Sequence, residues 1–381
     1  MTDDELHAHL IDQQGSRRSL NTPVLLIDAG ALDRNIATMA RFAAEHALQL
    51  RPHAKTHKST DIAKRQLAAG AIGICCAKIG EAEVLADNGV TDGLHLTSPV
   101  VAAQAIARLA ALNLRTSGLM CAVDNPENVR ALGATAHASG KSLSVIIDID
   151  PGIHRTGVGT AEAAVALFRA IEREADLHYA GVQCYCGAQQ HIRGFDDRRQ
   201  AMEERAHYVH AIIDALTDAG GRPEIVTGGG TGTHRIDPDL GLFTELQVGS
   251  YVFMDAEYSA CDLTGDGAAV PFETALLVDA RVISNNTSGL VTLDAGFKAF
   301  STDAGNPVVV AGAPVGASYR FMGDEHGALL LPGGGTLPLG HIVTLATPHC
   351  DPTVNLYDTY HVVEGDTLRA LWPVAARGRS R

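Results

Sequence analysis

Eight short apolar runs, separated by stretches rich in Ala, Leu, Glu, Arg and Gln, are the feature of this sequence that most restricts its fold. The runs lie near residues 48–55, 72–76, 93–97, 118–123, 143–149, 180–186, 224–228 and 245–250. Short buried strands that alternate with amphipathic helices are what a parallel (β/α)8 barrel requires. A doubly wound open sheet is the alternative, but it normally has fewer strands and a glycine-rich turn after the first, which is missing here. We therefore predict an α/β fold with a (β/α)8 TIM-type barrel.

The character of the sequence changes after residue 254. Strand-like runs separated by Gly, Asn, Asp and Pro predict a mostly β C-terminal domain; they are Thr274–Ile283, Leu290–Asp294, Ala328–Leu331, Ile342–Thr347, Tyr360–Val363 and Leu368–Trp372. The strand-like run 23–28 precedes the barrel strands and can join that domain. We expect a barrel over residues 22–254, and a β-rich domain over residues 255–381 that residues 1–28 join.

Composition excludes several classes of protein. Hydrophobic residues make up 46% of the 381 residues and charged residues 19%, which is typical of a globular protein with a sizeable core. The net charge of -14 disfavours nucleic acid or an anionic membrane as a partner. The sequence has no apolar run of the roughly 18 residues that would span a bilayer. Seven scattered cysteines do not form a disulfide framework, so we expect a cytoplasmic protein.

Lys55 ends the first predicted barrel strand, in the segment Arg51-Pro-His-Ala-Lys-Thr-His-Lys58. Strand alternation puts Arg51, His53 and Lys55 on one face. Like-charge repulsion and partial desolvation would then lower the pKa of Lys55, as a lysine that forms a Schiff base requires. The alternative is that Lys55 and Lys58 are solvated cations in a basic turn.

Two segments after the last barrel strands suit a phosphate group. Gly228-Gly-Gly-Thr-Gly232 follows the seventh run and Gly249-Ser-Tyr251 the eighth. Glycine lets backbone N–H groups approach a phosphate, and this fold commonly binds phosphate there. Together with a reactive lysine, such a site implies pyridoxal 5'-phosphate (PLP). Arg155, after the fifth run, could donate to the pyridine nitrogen, although a surface arginine is an equally good interpretation of that residue alone.

The sixth run carries Gln183 and Tyr185 on one face, which places Tyr185 inside the barrel mouth. Cys184 and Cys186 face the other way, where buried thiols are a simpler interpretation than a metal site. His191 follows in a loop and, by itself, resembles a solvated histidine more than a base.

His349 and Asp351 stand two residues apart in Pro348-His-Cys-Asp-Pro352, and so would share one face of an extended segment. An imidazole and a carboxylate suit a divalent ion such as Mn²⁺, Mg²⁺ or Co²⁺. Two ligands do not make a site, and a surface loop is the alternative. The turn at residues 324–326 could reach the same pocket or be solvated.

These motifs occur in an order that resembles a known family. They are Arg-Pro-His-Ala-Lys-Thr-His-Lys (51–58), Gly-Ile-Cys-Cys (73–76), the His-Arg-Thr-Gly-Val stretch around Arg155, Gln-His (190–191), Thr-Gly-Gly-Gly-Thr-Gly (227–232), Glu-Leu-Gln-Val-Gly-Ser-Tyr-Val-Phe-Met-Asp (245–255), Asp-Glu-His-Gly (324–327), His-Cys-Asp-Pro (349–352) and Ala-Ala-Arg-Gly (375–378). Over nearly its whole length the chain is similar to the fold-type III PLP enzymes with an alanine racemase-like barrel. Within these it most resembles the metal-dependent D-threonine and 3-hydroxy-D-aspartate aldolases.

The resemblance implies a role for each matching residue. PLP would be bound covalently by Lys55, with Arg155 at the pyridine nitrogen, Tyr185 at the ring and Thr231, Gly232, Ser250 and Tyr251 around the phosphate. His191 would take the proton of the substrate's β-hydroxyl group. A divalent metal, Mn²⁺ with Mg²⁺ or Co²⁺ as alternatives, would bind to His349 and Asp351. The resemblance also implies a homodimer.

The implied activity is retro-aldol cleavage of a D-3-hydroxy-amino acid to glycine and an aldehyde. The alternative is a dehydratase that releases ammonia and a keto acid from D-serine or 3-hydroxy-D-aspartate. Such dehydratases use a His-x-Cys pair with zinc, whereas position 351 is Asp here. A non-catalytic PLP-binding protein is a third hypothesis, but small proteins of that kind lack a second domain.

Overall fold

The computed structural model describes residues 1–381. It contains seventeen strands: β1 Val24–Asp28, β2 Gln49–Leu50, β3 Ile74–Cys76, β4 Leu94–Leu96, β5 Met120–Val123, β6 Leu143–Asp148, β7 Leu177–Cys184, β8 Ile225–Gly228, β9 Glu245–Leu246, β10 Leu276–Thr287, β11 Leu290–Leu293, β12 Val308–Ala311, β13 Ser318–Phe321, β14 Gly327–Leu330, β15 Ile342–Ala346, β16 Thr359–Glu364 and β17 Thr367–Pro373.

Ten α-helices accompany these strands: α1 Asp3–His7, α2 Ala29–Glu45, α3 Thr60–Ala68, α4 Ile79–Asp87, α5 Ala103–Leu114, α6 Pro126–Ser139, α7 Ala161–Glu172, α8 Phe195–Asp218, α9 Ala256–Ser259 and α10 Cys350–Val354. None of them is both long and apolar enough to cross a bilayer. The chain divides into two compact units. One comprises residues 39–249, 261–269 and 378–381, and the other residues 1–38, 250–260 and 270–377.

The first unit contains an eight-stranded sheet in the order β2-β9-β8-β7-β6-β5-β4-β3, and every neighbouring pair is parallel. Residues that follow β2 close the sheet on itself. The backbone N–H of Cys75 donates to the carbonyl oxygen of Pro52 at 2.8 Å, and His53 forms a parallel bridge with Cys75. The predicted (β/α)8 barrel is therefore confirmed, with all eight of its strands.

The barrel strands form where the sequence is apolar because both of their faces are buried. β5, for example, has four buried residues in succession, as a parallel sheet covered by helices requires. The helices are apolar on one side. In α7 the buried residues are Ala164, Leu167, Phe168 and Ile171, at helical spacing, and the Thr160 side chain caps the first turn by accepting from the backbone N–H of Ala163.

The second unit is built on a sheet in the order β13-β14-β11-β10-β1-β16-β17, with β15 beside β10 and β12 beside β15. β1 comes from the N-terminal segment and pairs antiparallel with β10 and parallel with β16. The prediction of a mostly β C-terminal domain is confirmed. Its six predicted strands correspond to β10, β11, β14, β15, β16 and β17, whereas β12 and β13 were not predicted.

Candidate active site

Lys55 lies just beyond β2, at the carboxyl end of the barrel, and is half-buried. Its backbone N–H donates to Nδ1 of His53 at 3.3 Å. Nearby, the Lys58 ammonium forms a buried salt bridge with Glu81, whose carboxylate also accepts the backbone N–H of Ala77 at 2.8 Å. The alternative of a solvated cation is therefore wrong for Lys58, whereas the role of Lys55 stays a prediction.

Arg51 does not supply the positive charge that the sequence analysis placed beside Lys55. Its guanidinium makes two hydrogen bonds, both 2.9 Å long, to the carboxylate of Glu245, and both residues are buried. It also donates to the carbonyl oxygen of Gly93, which precedes β4. The guanidinium therefore points to the amino-terminal end of the barrel, with its charge compensated, away from the end at which Lys55 lies.

Buried polar side chains form a hydrogen-bond network across the barrel interior. The amide oxygen of Gln183 on β7 accepts from Nε2 of His95 on β4 at 2.8 Å, and the amide nitrogen of Gln183 donates to Asp148 on β6 at 2.9 Å. It also donates to the carbonyl oxygen of Thr97, whose hydroxyl is 3.1 Å from Nε2 of His53. Because β4 and β7 are not neighbours in the sheet, these bonds run through the interior. They fix the inner wall directly below the mouth.

Burial controls ionisation within this network. Desolvation lowers the pKa of His95 to about 4, so its ring is neutral near pH 7. Burial also raises the pKa of Asp148, although hydrogen bonds from Gln183 and Thr156 act against it. Strand alternation puts Gln183 on the inner face, but it does not predict this network. The signal for it was a polar residue in the middle of each of several apolar runs.

Arg155 and Tyr185, which follow the fifth and sixth runs, lie close to each other. The Arg155 guanidinium carbon is 5.9 Å from the centre of the Tyr185 ring. Asp150 orders the loop before Arg155 by accepting the backbone N–H groups of Gly152 and His154 at 2.9 and 3.0 Å. Desolvation of Asp150 acts against ionisation, but these hydrogen bonds outweigh it and lower its pKa.

Gln190 joins the turn that carries His191 to the glycine-rich loop. The turn is a single 3-10 helix at Gly187–His191. Gln190 is fully buried, its Oε1 accepts the backbone N–H of Gly232 at 3.0 Å, and its Nε2 donates to the Thr233 hydroxyl at 3.0 Å. A Cβ atom at Gly232 would lie 2.0 Å from the carbonyl oxygen of Gln190. Glycine is therefore required at position 232, and the two loops form one structure.

The predicted phosphate residues fall in both compact units. Thr231 and Gly232 belong to the barrel unit, and Thr231 is buried. Ser250 and Tyr251 follow Gly249 in the chain, in the 3-10 helix Ser250–Val252, and belong to the second unit. There Tyr251 is buried with its ring in an edge-on contact with Phe272, at 5.8 Å between ring centres.

His349 and Asp351 do not lie on an extended segment, contrary to the prediction. His349 is the N-cap residue of α10, and Asp351 stands in its first turn. Cys350 between them is fully buried, and its backbone N–H donates to Asp255 at 3.1 Å. Burial raises the pKa of Asp255 to about 6, and His349 lowers it while Asp351 raises it, so both side chains lie within electrostatic reach of this carboxyl group.

The turn at residues 324–326 makes local contacts in the second unit. Glu325 forms a salt bridge with Lys298 at 2.5 Å, and the carbonyl oxygen of Asp324 accepts the Lys298 backbone N–H at 3.0 Å. Asp324, Glu325 and His326 are exposed. These contacts favour the solvated-turn interpretation over a role in the metal pocket.

Another cluster, Asp3 with His7 and His361, has ligand atoms within 4.8 Å of one another. The backbone N–H of Asn21 donates to Nε2 of His7 at 3.0 Å, so the proton of this neutral ring is on Nδ1, which lies 2.8 Å from Nε2 of His361. Burial lowers the pKa of both histidines. A metal ion would have to break this chain of hydrogen bonds, and we interpret the cluster as an anchor for α1.

Comparisons with known proteins agree with this arrangement. Residues 27–257 match the family described as alanine racemase, N-terminal domain, and residues 275–363 match the putative serine dehydratase domain. The 3-hydroxy-D-aspartate aldolase of Paracoccus denitrificans is 37% identical, over 94% of this chain and 93% of that protein. The D-threonine aldolase of an Arthrobacter species is 36% identical, over 95% and 94% of the two chains.

The chain belongs to the alanine racemase-like family that contains these aldolases.

A solved structure supports the same assignment. The D-threonine aldolase of Filomicrobium marinum superposes with a TM-score of 0.91 at 38% identity, covering 95% of this chain and 97% of that one. Dehydratases of D-threo-3-hydroxyaspartate and D-serine also match, at 33% and 25% identity. The relatives with higher identity over more of the chain are thus aldolases, which are carbon–carbon lyases.

PLP is the cofactor that this family implies, and the barrel residues fit it. Lys55 is half-buried at the carboxyl end of the barrel, where this fold places its chemistry. The loop that contains Gly232 is glycine-rich, and at Gly232 itself the Gln190 backbone leaves no space for a side chain. His349 and Asp351 likewise offer a nitrogen and a carboxylate oxygen, which suit a divalent metal ion of intermediate hardness.

Replacing Gly232 with Ala tests whether the close contact between the two loops matters for cofactor binding. The new Cβ would have to displace the Gln190 backbone, at a cost of about 1–3 kcal/mol. We expect a lower melting temperature and about tenfold weaker PLP binding in an absorbance titration. Gly159→Ala is the matched control, because a Cβ there meets no atom within 4 Å. Equal PLP affinity in both variants would contradict the prediction.

Asp237 lies beneath the glycine-rich loop and is fully buried. Its Oδ2 accepts from the Thr233 hydroxyl at 2.8 Å. Burial raises its pKa from the usual 3.8 to about 8, although the hydrogen bonds from Thr233 and Gly230 favour ionisation. Around pH 6 the carboxyl group is therefore protonated in the folded protein and ionised in the unfolded chain.

This difference predicts a dependence of stability on pH. Between about pH 4 and pH 8 the folded state holds one proton more at Asp237 than the unfolded state, so the free energy of unfolding falls as pH rises, by at most about 1.4 kcal/mol per pH unit. Asp237→Asn removes that term. In urea unfolding at pH 5 and pH 8, we expect the variant to gain stability relative to wild type at the higher pH. A gap between variant and wild type that stays constant with pH would disprove the assignment.

Proposed function

We propose that the protein cleaves D-3-hydroxy-amino acids of the D-threonine type into glycine and an aldehyde, with PLP and a divalent metal ion. The observation that carries this proposal is the arrangement of the barrel's carboxyl-end loops. Arg155 lies over Tyr185, and Gln190 joins the His191 turn to the glycine-rich loop. The identity of 36–37% to aldolases over nearly the full chain supports it.

The proposed cofactor-binding residues lie within residues 22–254, and the proposed metal ligands lie within residues 255–381. Lys55 would hold PLP covalently, Arg155 would donate to the pyridine nitrogen, Tyr185 would lie against the ring, and Thr231, Gly232, Ser250 and Tyr251 would surround the phosphate. PLP supplies an electron sink for the charge left at Cα when the Cα–Cβ bond breaks. His349 and Asp351 would bind the metal ion, whose positive charge attracts the oxygen of the substrate's hydroxyl group.

His191 is the proposed general base. It would accept the proton of the β-hydroxyl group at an imidazole nitrogen, so that the oxygen can become the carbonyl oxygen of the aldehyde as the Cα–Cβ bond breaks. The Gln190 bridge supports this assignment, because it fixes the His191 turn against the glycine-rich loop at two hydrogen bonds of 3.0 Å. A base must be held within hydrogen-bond reach of the proton that it removes.

Product analysis with D-threonine separates this function from the dehydratase alternative. The purified enzyme, loaded with PLP and Mn²⁺, is incubated with D-threonine, with D-3-hydroxyaspartate and with L-threonine as a control. We expect glycine in amounts equal to the aldehyde from the D substrates and no product from L-threonine. Formation of 2-oxobutanoate and ammonia from D-threonine would instead establish elimination.

Metal dependence separates an aldolase from a non-catalytic PLP-binding protein. We expect EDTA to abolish cleavage and Mn²⁺ to restore it, with Mg²⁺ and Co²⁺ compared in parallel. Activity that survives EDTA would refute the metal assignment, and absence of any turnover with every metal would favour the binding protein.

The remaining parts of the proposal concern the setting of the enzyme. We propose a small-molecule substrate, a homodimer and a cytoplasmic location. All seven cysteines are buried and none forms a disulfide, which fits a reducing compartment. The homodimer rests on the family resemblance, and sedimentation equilibrium would test it.

A further inference from the structure

Asp303 has no role in the proposed function, but it contacts the proposed metal ligand His349. Its Oδ2 lies 2.7 Å from Nδ1 of His349, although the two residues are 46 positions apart in the chain. A carboxylate accepts hydrogen bonds and does not donate them, so Nδ1 of His349 must carry the proton. In a neutral imidazole, this leaves the lone pair on Nε2.

Ser301, two residues before Asp303, also contacts the main chain of His349. The Ser301 hydroxyl donates to the carbonyl oxygen of His349 at 3.1 Å, and the Thr353 hydroxyl donates to the same oxygen at 2.7 Å. Thr353 in turn accepts the Ser301 backbone N–H at 3.0 Å. Ser301 and Thr353 are buried, and the position of the His349 main chain is therefore fixed independently of its ring.

The two sets of contacts fix different parts of His349. Ser301 and Thr353 place the main chain of His349 at the start of α10, and Asp303 selects the orientation and tautomer of its ring. His349 is 24% exposed and Asp303 53% exposed, so the pair lies at a surface that an ion can reach. Carboxylate–histidine pairs of this kind orient the metal-binding nitrogen and raise its basicity.

We propose that Asp303 is a positioning residue that presents Nε2 of His349 to the divalent metal ion. This inference rests on the proposed function, since it requires His349 to be a metal ligand. Asp303 itself does not ligate the ion, and it acts through the imidazole. Loss of a carboxylate in such a position typically weakens metal binding 10- to 100-fold.

Direct measurement of Mn²⁺ binding tests the proposal without relying on activity. Free Mn²⁺ is followed by electron paramagnetic resonance during titration of the PLP-loaded, chelator-treated protein. We expect about 10- to 100-fold weaker binding in Asp303→Ala and a smaller loss in Asp303→Asn, whose side-chain oxygen still accepts from Nδ1. Asp358→Ala is the matched control, because it removes another exposed carboxylate, paired with Arg377 at 2.8 Å, from the same unit.

The tautomer provides a second readout that a merely structural role would not change. In protein labelled with ¹⁵N-histidine and free of metal, we expect His349 to show a proton on Nδ1 in wild type. Asp303→Ala should shift this equilibrium toward Nε2–H, and the His349→Gln spectrum assigns the resonances. An unchanged tautomer would overturn the proposal.

The ligand variants separate failure of this inference from failure of the proposed function. If His349→Ala and Asp351→Asn abolish Mn²⁺ binding but Asp303→Ala binds within threefold of wild type, the role of Asp303 is refuted and the metal site remains. If the two ligand variants bind Mn²⁺ as wild type does, the proposed metal site itself fails, and the role of Asp303 fails with it.

Discussion

Lys55→Ala is expected to yield a colourless protein that does not cleave D-threonine. Without the ε-amino group, PLP has no covalent attachment in the barrel, and the near-visible absorbance of the lysine-bound cofactor disappears. We expect the rate to fall by about a thousandfold or more, since residues that form the covalent centre of an enzyme have effects of at least this size. Absorbance spectra after reconstitution with PLP and dialysis measure the first effect, and aldehyde release measures the second.

The control for Lys55 is Lys64→Ala, which removes an exposed ammonium from α3, the helix after the Lys55 segment. It should keep both the colour and the rate. Lys58 is unsuitable as a control because it forms a buried ion pair with Glu81. Reduction with borohydride and peptide mapping locates the attachment in wild type. A cofactor found on any lysine other than Lys55 would refute the assignment, whatever the activity of the variant.

The barrel could be predicted from the sequence because its strands are buried on both faces and read as continuous apolar runs. β12 and β13 offer no such signal. β12 pairs with β15 alone, and its Val308 and Val310 are about half exposed. In β13, Tyr319 is the buried residue between exposed neighbours. Edge strands of this kind are specified by their partner strand, which lies far away in the sequence.

The same reason explains the errors at the candidate site. Arg51 was expected to act on Lys55, but its charge is compensated by Glu245, 194 positions later in the chain. The helix at His349 had a local signal, because Pro352 falls in the first turn of α10, where a proline is tolerated. Its capping carboxylate, Asp255, comes from 95 residues earlier. The motifs indicate which residues belong to the candidate site. The residues that contact them, such as Glu245 and Asp255, lie far away in the sequence and are brought near only by the fold.

Gln190 has a role that its motif does not reveal. It belongs to the Gln-His motif at residues 190–191, but nothing local in the sequence indicates that its amide spans from one loop to the backbone of Gly232. Since that bridge fixes the turn at His191, mutations at positions 190 and 191 should have different consequences. Gln190→Ala is expected to weaken PLP binding and to lower the melting temperature, because it leaves the Gly232 N–H without its buried acceptor.

His191→Ala, in contrast, is expected to keep the cofactor spectrum and the Mn²⁺ affinity while losing cleavage. Loss of a general base typically lowers the rate 10²- to 10⁴-fold, and we expect a loss in kcat within that range at saturating D-threonine. His207→Ala is the matched control, because His207 is exposed on α8 of the same unit. If the His191→Ala enzyme turned over at a normal rate, another group would have to accept the β-hydroxyl proton. A normal kcat with weaker PLP binding would show that His191 acts, like Gln190, through the loop.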